Sequence, residues 1–249
     1  MKTQFLKNVL LCTAIGLAAL SCSKHKPEAE PGHGWGEAVF SVETVSVGET
    51  EAVIMEAATG YDGAPFYGFI TSDVESSLKD AINDELSTLS VNRHMLKTGK
   101  PAARTISHLR RGGLSYRYIV TGLTPDGRTY GTPVSVTFTT GGTFKESGVA
   151  SISYNAETRK VEVSGFGSSL YDFGIVTKDT ADSFGSDAEL LHALIYSMKP
   201  DPVQGDITVG ANLNRGKYVL LAFGVDEEPD IEGCYNPTLT YAKSEISIR

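Results

Sequence analysis

The stretch YGFITSDVESSLKDAINDEL, starting at Tyr67, returns from Phe173 as FGIVTKDTADSFGSDAELLHAL. Internal repetition limits what a chain can fold into more than any other feature, because each copy must be a unit of the same kind. Setting Tyr67 on Phe173 aligns Gly68 with Gly174, Thr71 with Thr177 and Asp73 with Asp179, without a gap. Two later blocks keep the order. SYRYIVTGL from Ser115 matches KYVLLAFGV from Lys217, with Tyr116 on Tyr218 and Gly122 on Gly224. TPVSVTFTT then pairs with NPTLTYAKS, with Pro133 on Pro237. Three blocks in one order predict two tandem domains, residues 37–141 and 148–249.

Within the first copy, EAVFSVETVSV, EAVIMEAAT and PFYGFIT read as strands, rich in Val and alternating residues. The period then changes. Val74, Leu78, Ala81, Ile82, Leu86 and Leu89 fall three and four apart, which predicts a helix with one apolar face. Ser72 and Glu75 have the spacing of a capping box at its start, and Ser186 and Glu189 have it before LLHALIYSM in the second copy. Asp126-Gly127 between alternating runs predicts a hairpin turn. GGTFKESG, from Gly141, reads as a hinge.

The order Leu109, Tyr116, Asp126-Gly127 and VTFTT resembles the end of a fibronectin type III domain. Leu213 and Tyr218 repeat the leucine–turn–tyrosine element. The resemblance implies a mostly β fold: two tandem fibronectin type III-like (immunoglobulin-like) β-sandwiches, each with an inserted α-helix. It also implies that Tyr116 and Tyr218 fill the tyrosine-corner role, their hydroxyls bonding back to the upstream chain. The chain departs from that family in lacking a strand-B tryptophan and in adding the helix.

Lys2 and Lys7 precede the apolar run VLLCTAIGLAAL, which is short for a membrane span. The run closes on ALSC. This resembles the lipobox of bacterial lipoproteins, and the SCSK form that of the Bacteroidetes. The resemblance implies removal of residues 1–21 and lipidation of Cys22, hence attachment to the outer membrane on its surface or periplasmic face. Residues 22–36, rich in Pro, Gly and charge, read as a tether. Trp35 at its end either packs on the first strand or forms a ligand platform. Cys12 lies in the leader and Cys234 stands alone, which leaves no disulfide framework.

From Cys22 onward there are 20 Lys and Arg against 30 Asp and Glu, a formal charge of −10. Such a balance argues against nucleic-acid binding, which needs cations to neutralise phosphates. One segment runs the other way. Leu86 to Pro125 holds no acid but contains Arg93, Lys97, Lys100, Arg104, Arg110, Arg111 and Arg117. These residues are candidates for contacting an anionic partner, unless folding scatters them over different faces. DEEPDIEG, from Asp226, is the acidic counterpart, read as a solvated loop that lacks the spacing of a calcium loop.

Catalytic patterns are not visible. GFGSS lacks the G-x-S-x-G spacing, Cys234 has no histidine near it in sequence, and His94, His108 and His192 share no metal-binding spacing. The expectation is therefore a protein without cofactor or metal. It would be a non-catalytic binding or scaffolding module for a glycan or an envelope or host protein. A subunit of a surface fibre or adhesin assembly is the alternative, and an accessory enzyme of carbohydrate breakdown the third.

Overall fold

The computed structural model describes residues 35–61, 63–89, 93–197 and 202–249, which form a mostly β protein of antiparallel sheets. The leader, Cys22 and all of the tether before Trp35 lie outside the described residues, as does the Arg93 side chain.

In the first half, β1 (Val39–Val47), β2 (Ala52–Thr59) and β5 (Ala102–Ile106) form one sheet in the order β1-β2-β5. It faces a second sheet, ordered β4-β3-β6-β7, of β3 (Pro65–Thr71), β4 (Lys97–Thr98), β6 (Ser115–Leu123) and β7 (Thr129–Thr139). The second half repeats the plan. β9 (Ser151–Asn155), β10 (Lys160–Ser164) and β12 (Ile207–Gly210) run in the order β12-β10-β9. They face β11 (Tyr171–Thr177), β13 (Gly216–Pro229), β14 (Tyr235–Ile248) and β8 (Lys145–Glu146), ordered β11-β13-β14-β8.

Each half packs as a sandwich because alternate side chains of its strands enter one core. Phe40 and Ile54 from one sheet meet Phe66, Tyr116, Tyr118 and Val120 from the other. The outer face of the larger sheet is covered too. Helix α1 (Leu78–Thr88) lays Ala81 and Ile82 on Phe69 and Ile119. A short helix α2 (Lys178–Asp182) precedes α3 (Asp187–Ser197), which lays Leu190, Leu191, Leu194 and Ile195 on Val219, Leu221 and Phe223. With both faces of β13 covered, its run VLLAFGV is buried throughout. That is why the sequence there is continuously apolar rather than alternating. Trp35 packs inward, stacked on Tyr130 at 5.6 Å between ring centroids.

The first helix starts later than its spacing suggested. Its cap is Ser77, whose hydroxyl accepts from Asp80 N at 3.1 Å. Residues after Ser72 are drawn into a turn instead, with Asp73 Oδ1 accepting from Glu75 N and Ser76 N at 3.1 and 3.0 Å. In the second half Ser186 does cap, accepting from Glu189 N at 3.2 Å, and Glu189 Oε2 reaches back to Gly185 N at 2.8 Å.

The repeat also needs a correction of register. Ile70 pairs with Tyr118 in the first half and Ile175 with Leu220 in the second. Because Tyr116 and Tyr218 both face their inter-sheet cores, Tyr118 corresponds to Leu220, and therefore Ile70 to Ile175. The gapless alignment of Tyr67 with Phe173 is thus one residue out. Tyr67 packs under α1, whereas Phe173 faces the inter-sheet core. A slip of one residue turns a strand's side chains to the opposite face.

Candidate functional site at the joint between the sandwiches

The loop that follows β5 is held rigidly by its own half. Tyr116 Oη accepts from Arg110 N at 3.0 Å, and Thr140 Oγ1 donates to Arg110 O at 2.8 Å. In the second half Tyr218 also bonds back to its upstream chain, there as the donor, to Asn214 O at 3.1 Å. With its backbone committed, Arg110 sends its guanidinium into the second half. Nε meets Asp230 Oδ2 at 2.6 Å and Nη2 meets Glu232 Oε2 at 3.1 Å, with Arg110 2% and Asp230 0% exposed. The other Asp230 oxygen accepts from Glu232 N and Cys234 N at 2.9 and 2.8 Å. A buried ion pair offsets the cost of desolvation only when its remaining lone pairs are satisfied in this way.

Backbone bonds extend the joint on both sides. Asn236 is buried and uses both ends of its amide, Oδ1 accepting from Arg111 N at 3.0 Å and Nδ2 donating to Leu109 O at 3.2 Å. Ile231 N donates to His108 O at 2.5 Å, and the Arg111 guanidinium meets Asp226 at 2.8 Å. His192 Nε2 lies 3.1 Å from Gly112 O, an acceptor, so Nε2 carries the proton. Nδ1 is buried without a partner, and the ring meets Phe144 edge-on at 5.3 Å. Burial pushes the His192 pKa below its ordinary value, Arg110 adds to this, and the Gly112 bond opposes it.

Residues 141–148, read as a hinge, are stitched at both ends. Gly141 bonds Gly48 O and Gly112 N, each at 2.9 Å. Phe144 packs among the core residues under α3, β8 pairs in parallel with Thr240 and Tyr241, and Ser147 N donates to Tyr241 O at 2.7 Å. Gly112 sits at φ 100°, where a Cβ would lie 2.6 Å from the Phe144 ring and 3.1 Å from Leu239. Glycine here lets the two halves approach closely.

Between the halves lies a cleft of about 280 Å3, bordered by Glu51, His108, Arg111, Asp226, Glu228 and Asn236. Its lining is polar and of both charge signs. Among the described residues no group of three or more His, Cys, Asp or Glu is placed to hold a metal ion. Burial pushes the Cys234 thiol pKa up, Asp230 and Glu232 act in the same direction and Arg110 opposes them. That shift leaves little thiolate for nucleophilic chemistry.

Of the seven basic residues, the six whose side chains are described do not gather into one patch. Arg110 and Arg111 are bound by the acidic loop. Lys97 pairs with Glu56, a buried carboxylate that also accepts from Tyr118 Oη at 2.7 Å. Arg104 reaches into the same cluster, donating to Tyr118 Oη at 2.9 Å and Gly68 O at 3.0 Å. Arg117 clamps the turn before α1 through Ser76 O at 2.6 Å. Lys100 is exposed and forms no ion pair among the described residues. Asp230, Glu232, Asn236 and His192 complete the joint and were not singled out from the sequence as its members. The one available signal was that the first repeat carries an acid-free basic segment and the second an acidic loop of opposite charge.

No protein-family model matches the chain, and no curated protein matches it in sequence.

Proposed function

We propose that this chain is a lipid-anchored envelope protein that acts without catalysis, as a binding or scaffolding module for a glycan or protein partner. Cys22 carries the lipid, residues 22–36 hold the folded part off the membrane, and two fibronectin type III-like sandwiches follow. The observation that carries this reading is the buried Arg110–Asp230 pair with Glu232 beside it. It holds the halves together through buried charge, which suits a stiff presenter of surface rather than an enzyme that opens and closes.

The test has two arms. Intact cells are treated with protease and the protein is then detected, alongside lysed cells and a Cys22→Ala variant. Separately, partners are cross-linked in living cells. The expected result is membrane association lost in Cys22→Ala and recovery of an envelope glycan or protein as a specific cross-linked partner. Membrane association unchanged in Cys22→Ala would overturn the anchor, and turnover of a substrate by the purified chain would overturn the non-catalytic reading.

One observation favours the fibre alternative. β1 lies at a sheet edge and exposes Val39, Val45 and Val47, and exposed apolar edges are where strands exchange between copies. A ladder of polymers on unboiled gels, lost on boiling, would establish that reading.

A further inference from the structure

The β13–β14 hairpin has two ends. One carries Asp226–Glu232 and forms the joint; at the other, Gly216 pairs with Ile248. That distal end holds a pocket of about 690 Å3, within the size range of ligand sites, roughly 300–1,000 Å3. Three segments build it: the β9–β10 turn, the loop between β12 and β13, and the end of β14. The first two are tied together by Ala211 N donating to Arg159 O at 2.8 Å and Tyr154 Oη donating to Ala211 O at 3.2 Å. Arg159 adopts φ 54°, a left-handed conformation that non-glycine residues rarely take. A costly backbone geometry thus places an arginine at the rim.

Charge is concentrated here against the trend of its half, in which acids outnumber bases. Arg159 and Arg249 border the pocket, and Lys160, Arg215 and Lys217 adjoin its walls in the chain. All five are exposed, and none forms an ion pair among the described residues. Glu157 is the one acidic side chain in the three segments. Unpaired cations gathered in this way around one pocket raise the local positive potential and attract an anion.

Other lining groups narrow the class of ligand. Asn212, Asn214 and Ser247 supply amide and hydroxyl partners of the kind that sugar hydroxyls take. Arginine forks match planar carboxylates in bidentate geometry. None of the exposed large apolar side chains borders the pocket, so there is no wedge to insert into a bilayer. We propose that this pocket binds an acidic saccharide, with Arg159 and Arg215 holding its carboxylates and Asn212 and Asn214 its hydroxyls. The proposal rests on the reading of the chain as a binding module and names a ligand class for it.

The test titrates the full chain in detergent with tri-galacturonate, using calorimetry. Maltotriose serves as the neutral sugar, inorganic phosphate as the free anion and phosphatidylglycerol vesicles as the anionic lipid. Saturable binding of tri-galacturonate is expected, with at least tenfold weaker binding of maltotriose and phosphate. Arg159→Gln/Arg215→Glu should weaken it at least tenfold with an unchanged thermal melt. Arg215→Glu/Lys217→Glu, which leaves the strained position untouched, should do the same. Equal affinity in either folded double variant, equal binding of maltotriose, or binding of the vesicles alone would overturn the proposal. Absence of saturation with tri-galacturonate, while living cells still yield a specific cross-linked partner, would remove this pocket and leave the binding-module reading standing. Absence of both would remove the two together.

Discussion

Arg110 ties the two halves together because both its backbone and its guanidinium are committed. Removing it would leave Asp230 buried and without its counter-charge, a change that typically costs about 3–5 kcal/mol. Arg110→Ala should therefore lower the urea midpoint sharply. Arg110→Met/Asp230→Leu should recover much of that loss, because no orphaned charge remains. A double variant as unstable as the single one would show that Arg110 matters for its packing rather than its charge. Gly68 offers a second residue-level test. A Cβ there would collide with Tyr118 Oη and Glu56 Oε2, two members of the buried polar cluster. Overpacking of this kind costs about 1–3 kcal/mol, so Gly68→Ala should destabilise the first half measurably although the change is a single methyl group. At this scale the sequence was only partly readable. It displayed the acid-free segment and the acidic loop as two separate runs, but that they meet follows from a turn set by Tyr116 and Thr140, which no local pattern encodes.

Among the elements, periodicity conveyed existence better than boundaries. The apolar spacing that predicted α1 corresponds to residues that pack, since Ala81 and Ile82 are buried and Leu78 and Leu86 lie against them. The start was misplaced because Ser72 and Ser77 both have an acid three residues later, and a capping pattern alone does not choose between them. Tertiary contacts choose: Arg117 pulls on Ser76 O, and Ser72 Oγ donates to Glu232 across the joint. Ser77→Ala should thus cost about 0.5–2 kcal/mol as a lost cap, read by urea unfolding together with far-UV dichroism. Ser72→Ala should leave the helix intact and affect only the joint. Equal helical loss in both variants would show that Ser72 shares the capping role. The register of β3 against β11 was misread for a related reason. Matching identities at Gly68/Gly174 and Thr71/Thr177 favoured a gapless alignment, whereas burial on two faces makes both registers of an apolar strand look alike in sequence.

For the whole molecule, the question is whether two sandwiches behave as one body, and His192 makes that depend on pH. Its ring sits at the joint with Nδ1 buried and unpartnered, facing the region of Arg110 and Asp230. Burial lowers its folded-state pKa below the unfolded value of about 6.5, so the unfolded chain binds the extra proton more readily. The stability this provides is complete above that value and is lost as pH falls from there through the folded-state pKa. Protonation places a second cation near Arg110 in a site with no acceptor for Nδ1. Calorimetry at pH 7.5 should give one unfolding transition for both halves, because the joint couples them. Below about pH 6 the transition should broaden or divide in two, and small-angle scattering should show a wider range of extensions. His192→Gln keeps a donor for Gly112 O without a titrating group, and should abolish the pH dependence in that window while retaining one transition. If the wild-type transition divides on acidification and the variant divides identically, the joint is governed by its carboxylates and not by His192.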